Sequence, residues 1–137
     1  MIFVDASALV AMIVGEPDAA VLADALDGSA AAFTSPIAIF EAVLGVRRVR
    51  SSTLAEAQSD VDSVLDAAGI EVVPIHPTTA KGALEAFALY GKGRGHPAQL
   101  NMGDCFAYAM AKSRGAALLF KGDDFVHTDI RSAVASS

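Results

Sequence analysis

Four acidic residues, Asp5, Glu41, Asp104 and Asp124, each interrupt an otherwise apolar stretch. Asp5 ends Ile2-Phe3-Val4, and Glu41 sits inside Ile37-Ala38-Ile39-Phe40-Glu41-Ala42-Val43-Leu44. Asp104 opens Cys105-Phe106-Ala107-Tyr108-Ala109-Met110, and Asp124 follows Ala117-Leu118-Leu119-Phe120 across a short turn. A carboxylate beside a core is costly unless something cationic compensates it. Four such acids at element ends or on core-facing stripes suggest one shared site. The natural partner for clustered carboxylates is a hard divalent cation such as Mg²⁺, which takes oxygen ligands. Residue chemistry alone reaches metal-dependent phosphodiester hydrolysis.

Each acid also has an ordinary structural reading. Asp5 can cap the first helix. Glu41 shares a helix stripe with Ile37, Leu44 and Arg48 at about 100° per residue, so it can pair with or lie along Arg48. Asn101-Met102-Gly103-Asp104 has the form of a capping box, with Asn101 as N-cap and Asp104 at N3. Asp123 and Asp124 fit a polar turn. Asp129 is either a solvated acid or an outer-shell member of the site.

The elements that must position these residues alternate along the chain. A strand is expected over Ile2 to Asp5, then a helix from Ser7, its N-cap, to Val14. Pro17 starts a second helix to about Leu26. Ala31 to Thr34 reads as a strand, and Ser35-Pro36 starts a helix to about Arg50. A further helix covers Leu54 to Ala68 and stops at Gly69. Ile70 to Ile75 is rich in β-branched residues and reads as a strand. Pro77 opens a helix to about Tyr90. Gly91 to Gly103 is the one long irregular segment. A helix then runs to about Ser113 with Gly115 as its C-cap, followed by a strand over Ala116 to Phe120 and a turn over Lys121 to Asp124. A short last strand after Val126 and a frayed Ser136-Ser137 complete the expectation.

Strands alternating with helices imply parallel βαβ units. The expected fold is therefore α/β, a three-layer α/β/α sandwich around a central, mainly parallel sheet. Sites in open parallel sheets lie at the carboxyl ends of the strands, where Asp5 and Asp124 both fall. Topology thus turns scattered acids into neighbours.

Bulk properties bound the class. The 137 residues suit one domain, and 53% hydrophobic residues with mean hydropathy +0.45 suggest a sheet covered on both faces or an apolar surface hidden in an assembly. The longest apolar candidate, Ala8 to Val14, is far below the roughly 20 residues that span a bilayer. No basic segment precedes the first apolar run, and Cys105 is the single cysteine. A cytoplasmic location is expected. A net charge of −6 and a pI of about 4.8 argue against broad adhesion to nucleic acid. The basic residues are nevertheless grouped, as Arg47, Arg48 and Arg50, and as Lys92, Arg94 and His96.

Several stretches together resemble the PIN-domain ribonucleases, and most closely the VapC toxins of bacterial toxin–antitoxin pairs. They are Val4-Asp5-Ala6-Ser7-Ala8-Leu9, Glu41 in its helix, Gly103-Asp104-Cys105 and Leu119-Phe120-Lys121-Gly122-Asp123-Asp124-Phe125. The resemblance covers essentially the whole chain. It implies an endoribonuclease that needs Mg²⁺ or Mn²⁺ and is held inactive by a VapB-like antitoxin, in a homodimer or a higher toxin–antitoxin assembly. The family's four acids fall on Asp5, Glu41, Asp104 and Asp124, with Asp123 the alternative for the last. Its small hydroxyl residue falls on Ser7.

On this reading Asp5 and Asp104 bind the metal directly, while Glu41 and Asp124 hold its waters or a second ion. An activated water attacks the scissile phosphorus in line. Ser7, Asp123 and Asp129 are possible outer-shell residues. Lys92, Arg94, His96 and Lys121 are possible RNA contacts, and apolar helix surface before Leu44 is a possible antitoxin or homodimer face. Three other readings compete. A phosphatase with an aspartyl nucleophile needs a second acid two residues after the first, and that position is Ser7. A phosphoacceptor receiver-like domain needs an acceptor Asp at the end of a central strand, and the strand taken as central runs instead into His76-Pro77. A non-catalytic RNA- or partner-binding module needs none of the four acids.

Overall fold

Residues Ile2–Val4 form β1, whose apolar side chains are buried on both faces, so β1 must lie inside a sheet. The computed structural model describes residues 1–134 and places β1 between two parallel neighbours. β2 is Ala32–Thr34, β3 is Ile70–Val72 and β4 is Ala117–Leu119, in the order β3-β2-β1-β4. Every pairing is parallel, with Phe3 opposite Phe33 on one side and Leu118 on the other. Phe3 and Phe33 meet edge-to-face with centroids 5.3 Å apart, a favoured aromatic geometry.

The helices are α1 (Ala6–Val14), α2 (Ala19–Asp27), α3 (Pro36–Arg50), α4 (Leu54–Ala68), α5 (Pro77–Tyr90) and α6 (Met102–Ser113). They flank the sheet as the three-layer α/β/α sandwich anticipated from the alternation. α6 packs on β1, β4, α5 and α3, and most of its residues from Gly103 to Ala111 are buried. Its small side chains Ala107, Ala109 and Ala111 permit that enclosure. α3 packs against α1, α4 and α6. The chain runs outward from β1 to β2 and β3, then returns past β1 to β4. The β1/β4 junction is therefore where the strand order reverses, the position at which open α/β sheets form crevices.

Local chemistry explains most boundaries. Ser35 caps α3, accepting from the Ala38 N–H at 3.1 Å with Pro36 in the first turn. Asn101 and Asp104 form the anticipated reciprocal capping box on α6. Thr34, fully buried, donates its hydroxyl to the Val4 carbonyl at 2.8 Å and ties β2 to the end of β1.

Other expectations are corrected. Asp5, not Ser7, is the N-cap of α1, because its carboxylate reaches the Ser7 N–H. α2 starts at Ala19, leaving Pro17 in the preceding turn. β3 ends at Val72 and is an edge strand, not a central one; Val73 still donates to Thr34, but Pro74 has no N–H to continue the ladder. Arg114, not Gly115, is the C-cap of α6, and Gly115 takes the following left-handed position at φ 62°. The last strand is reduced to a bridge between Leu118 and Ser132. Ser136-Ser137 lie outside the described residues. Among the described residues no single helix is long and apolar enough to cross a membrane.

Because Ser35 is a buried cap on the helix that carries Glu41, Ser35→Ala is expected to destabilise the protein by about 1 kcal/mol. Urea unfolding checks this: the midpoint falls while the slope stays constant. An unchanged midpoint would remove the cap from the forces that hold α3.

Candidate active site

Asp5 sits where β1 gives way to α1 and is only 6% exposed. Its Oδ2 accepts both the Ser7 N–H at 3.1 Å and the Ser7 hydroxyl at 2.5 Å. The same hydroxyl accepts the backbone N–H of Lys121 at 3.0 Å. Ser7 therefore orients Asp5 and clasps the loop after β4 to the start of α1. A hydroxyl can do both because it donates once and accepts through its lone pairs.

Asp104, 8% exposed, enters from the first turn of α6. Its Oδ2 accepts the Asn101 N–H at 3.1 Å, and no hydrogen bond reaches its Oδ1 among the described residues. The capping role and the site role thus use different oxygens of one carboxylate. Glu41 comes from the middle of α3 and is half-buried. Its carboxylate lies against the backbone of Gly103, so closely that a Cβ at residue 103 would overlap it. Glycine next to Asp104 is what lets two acids from two helices approach.

Asp124 completes the set from the loop after β4. One cleft is lined by Asp5, Glu41, Asp104 and Asp124 together, with Ser7, Glu16, Gly45, Arg48 and Lys121 among its other walls. Lys121 Nζ is ion-paired with Glu16 and lies 3.5 Å from Asp18. Glu16 lines the cleft without having been singled out in the sequence, where Glu16-Pro17-Asp18 reads as punctuation only. Arg48 makes no salt bridge to Glu41 among the described residues, so the anticipated intrahelical pair does not form.

Other candidates lie elsewhere. Asp123 is outside the cleft lining, which favours Asp124 as the fourth acid. Asp129 is a correction: it accepts from the Tyr108 hydroxyl and from Lys112 Nζ, not from anything in the cleft. Those partners, Lys112 foremost, lower its pKa. Lys92, Arg94 and His96 are not among the cleft walls either. Their loop is shaped by a bridge between Gly91 and Leu100, and the His96 ring packs edge-on against Tyr90 at 5.0 Å.

Burial and mutual repulsion dominate the electrostatics. Burial, chiefly, raises the pKa of Asp5, with the charge of Asp124 adding to it and the Ser7 hydrogen bonds opposing it. Burial also raises Glu41, helped by Asp5. Asp104 is pushed up to about 7 by burial first, then by Asp124, Asp5 and Glu41, against the Asn101 hydrogen bond. Groups so arranged favour a cation among them. The donors fit a hard ion: all are oxygens, and Asp104 keeps one oxygen free. Among the described residues no group of three or more His, Cys, Asp or Glu side chains is placed to hold a metal ion, so an ion here would have fewer than three of them as direct ligands. An open oxygen set of this kind suits an ion that retains several waters, as Mg²⁺ does.

The raised Asp104 pKa fixes a sign. Without metal, the folded protein holds a proton on Asp104 that the unfolded chain releases near its ordinary 3.8. Stability is then expected to fall as pH rises from that value through about 7. Chemical unfolding in EDTA at stepped pH checks this, and Asp104→Asn, which can still accept the Asn101 N–H, should flatten the fall. Superimposable pH profiles for the two proteins would count against the repulsion.

Gly103→Ala offers a second test. The obstructing atoms belong to the far end of a flexible side chain, so the fold should survive while Glu41 is displaced. A misplacement of this kind can cost on the order of 100-fold in turnover. Wild-type metal-dependent activity in a Gly103→Ala protein would show that the position of Glu41 is immaterial.

Comparisons with known proteins agree with this geometry. Residues 2–131 match the family model of the PIN domain. The chain is 44% identical over 131 residues to the ribonuclease VapC42 of Mycobacterium tuberculosis, covering 95% of this chain and 97% of that protein. It is 43% identical over 141 residues to a VapC ribonuclease of Rhizobium meliloti, covering 95% and 99%. Its fold is similar to the crystal structure of Mycobacterium tuberculosis VapC20, described as a sarcin-ricin loop cleaving toxin, with a TM-score of 0.72 at 15% identity over 96% of this chain and 99% of that one. Four carboxylates gathered at the β1/β4 junction, together with these matches, make the chain a member of the PIN-domain family and, within it, of the VapC ribonucleases.

Proposed function

We propose that this protein is a metal-dependent endoribonuclease and the toxin of a toxin–antitoxin pair. The observation that carries the reading is the convergence of Asp5, Glu41, Asp104 and Asp124 on one cleft. PIN-domain ribonucleases as a class depend on a divalent cation, and VapC toxins as a class have an RNA substrate and a cognate antitoxin. The finer assignments here are Mg²⁺, with Mn²⁺ able to substitute, and a VapB-like partner acting in the cytoplasm.

Asp5 and Asp104 are the residues assigned to hold the cation, since both are buried and rigidly placed at helix starts. When bound there, the ion acidifies water and offsets charge that develops on the phosphate. Glu41 and Asp124 are assigned to orient water and accept its proton; Glu41 is suited to this because its raised pKa makes it a better base than an ordinary carboxylate. Ser7 holds Asp5 in one orientation. Lys92, Arg94 and His96, outside the cleft, are assigned to guide RNA, whereas Lys121 is engaged by Glu16 at the cleft wall.

Partner binding has a physical basis next to the acids. Phe40 is 66% exposed and Leu44 is 42% exposed on α3, flanking Glu41 in sequence. An antitoxin covering that apolar surface would lie beside the cleft and could screen it. A second apolar face, with Leu84, Phe87 and Met102, is available for assembly of toxin copies.

The test is cleavage of total cellular RNA by purified, partner-free protein, with Mg²⁺ against EDTA and wild type against Asp5→Asn. Discrete fragments are expected only with metal and the intact acid. The loss in Asp5→Asn should exceed the roughly 10–100-fold typical of residues that merely support a ligand. Equal cleavage in EDTA, or by Asp5→Asn, would overturn the assignment.

A further inference from the structure

Five acids and two cations line the cleft: Asp5, Glu16, Glu41, Asp104 and Asp124 against Arg48 and Lys121. A phosphate backbone entering such a cleft meets like charge. Where it settles depends on the cations that remain free to attract it.

The two cations are not equivalent. Lys121 is paired with Glu16 and lies near Asp18, so its charge is offset where it stands. Arg48 makes no salt bridge among the described residues and is exposed. It lies seven residues after Glu41 on α3, about 10 Å further along the helix on nearly the same stripe. Gly45 lies between them on that stripe and also lines the cleft. With no side chain at residue 45, that position adds no bulk to the cleft between Glu41 and Arg48. α1 closes the floor, since a Cβ at residue 45 would come within 2.8 Å of Val10 Cγ2.

We propose that Arg48 is the phosphate anchor of the cleft, binding a backbone phosphate that flanks the one being cut. The inference rests on the endoribonuclease reading and adds a positioning residue to it. A guanidinium suits the task because its planar fork bonds two phosphate oxygens at once. Its place two turns along α3 from Glu41 suits a phosphate that flanks the reacting one, a role that governs where RNA sits and not the bond-breaking step. Lys121, already engaged, holds Glu16 at the cleft wall.

The experiment compares Arg48→Gln with Arg47→Gln, a neighbour on the same helix that does not line the cleft. Both remove one charge, and glutamine is a good helix former, so α3 is preserved. Binding of a short fluorescein-labelled single-stranded RNA of mixed sequence is measured in Mg²⁺ over a range of KCl, in an Asp5→Asn background. Cleavage of total RNA is measured in the parent background. Arg48→Gln should lower the slope of log affinity against log salt by about 0.7, the value for one lost single-strand phosphate contact. It should also raise KM with little change in kcat, and Arg48→Lys should restore the slope better than the affinity. Arg47→Gln should leave the slope where it was. Equal slopes and affinities for Arg48→Gln and Arg47→Gln, or no RNA binding by the parent, would overturn the proposal. Failure of the nuclease reading looks different: the parent makes no metal-dependent fragments, while the Arg48 dependence of RNA binding persists.

Discussion

Like charges held close together, and partly out of water, set the terms for this structure. Asp5 and Asp104 are almost fully buried, Glu41 is half-buried, and each raises or is raised by another acid of the group. Left alone, such carboxylates would separate or take up protons. They stay together because each is fixed by its own element. Asp5 is held by Ser7, Asp104 by the capping box at Asn101, and Glu41 by its seat on Gly103. The repulsion that remains is what makes the cleft receptive to a cation.

The hydrophobic core is the frame that makes this possible. Parallel pairing of β1 with β4 puts the ends of both strands side by side, and the small, buried residues of α6 let that helix lie directly on them. Thr34 and Ser7 use hydroxyls to join chain segments far apart in sequence, the first between β2 and β1, the second between α1 and the loop after β4. Buried hydrogen bonds of this kind select one arrangement where apolar packing alone would tolerate several. The gathering of the four acids in one cleft thus follows from where a parallel sheet reverses its strand order.

The surface divides by chemistry. An acidic cleft whose Arg48 makes no salt bridge among the described residues sits beside exposed Phe40 and Leu44, while the basic loop at Lys92 to His96 stands apart, anchored on Tyr90. The close spacing of Glu41 and its apolar neighbours means that a partner lying on that part of α3 also lies next to the acids.

Much of this was legible in the order of residues. Alternating elements imply the parallel sandwich, and the acids that break apolar runs are Asp5, Glu41, Asp104 and Asp124. The capping box at Asn101 and the start of α3 at Ser35 were readable because caps act over three or four residues. Features that depend on distant segments were not readable. Glu16 and Lys121 meet across more than a hundred positions, Ser7 serves the β4 loop as well as Asp5, and Asp129 turns to Tyr108 and Lys112 instead of the cleft. The sequence alone determined which groups are too costly to bury without a shared purpose, because that cost is a property of the residue and its neighbours in the chain. Only the tertiary structure decided which of them meet and which cation is left free, because charge–charge contacts depend on distances that the packing of the sheet and helices sets.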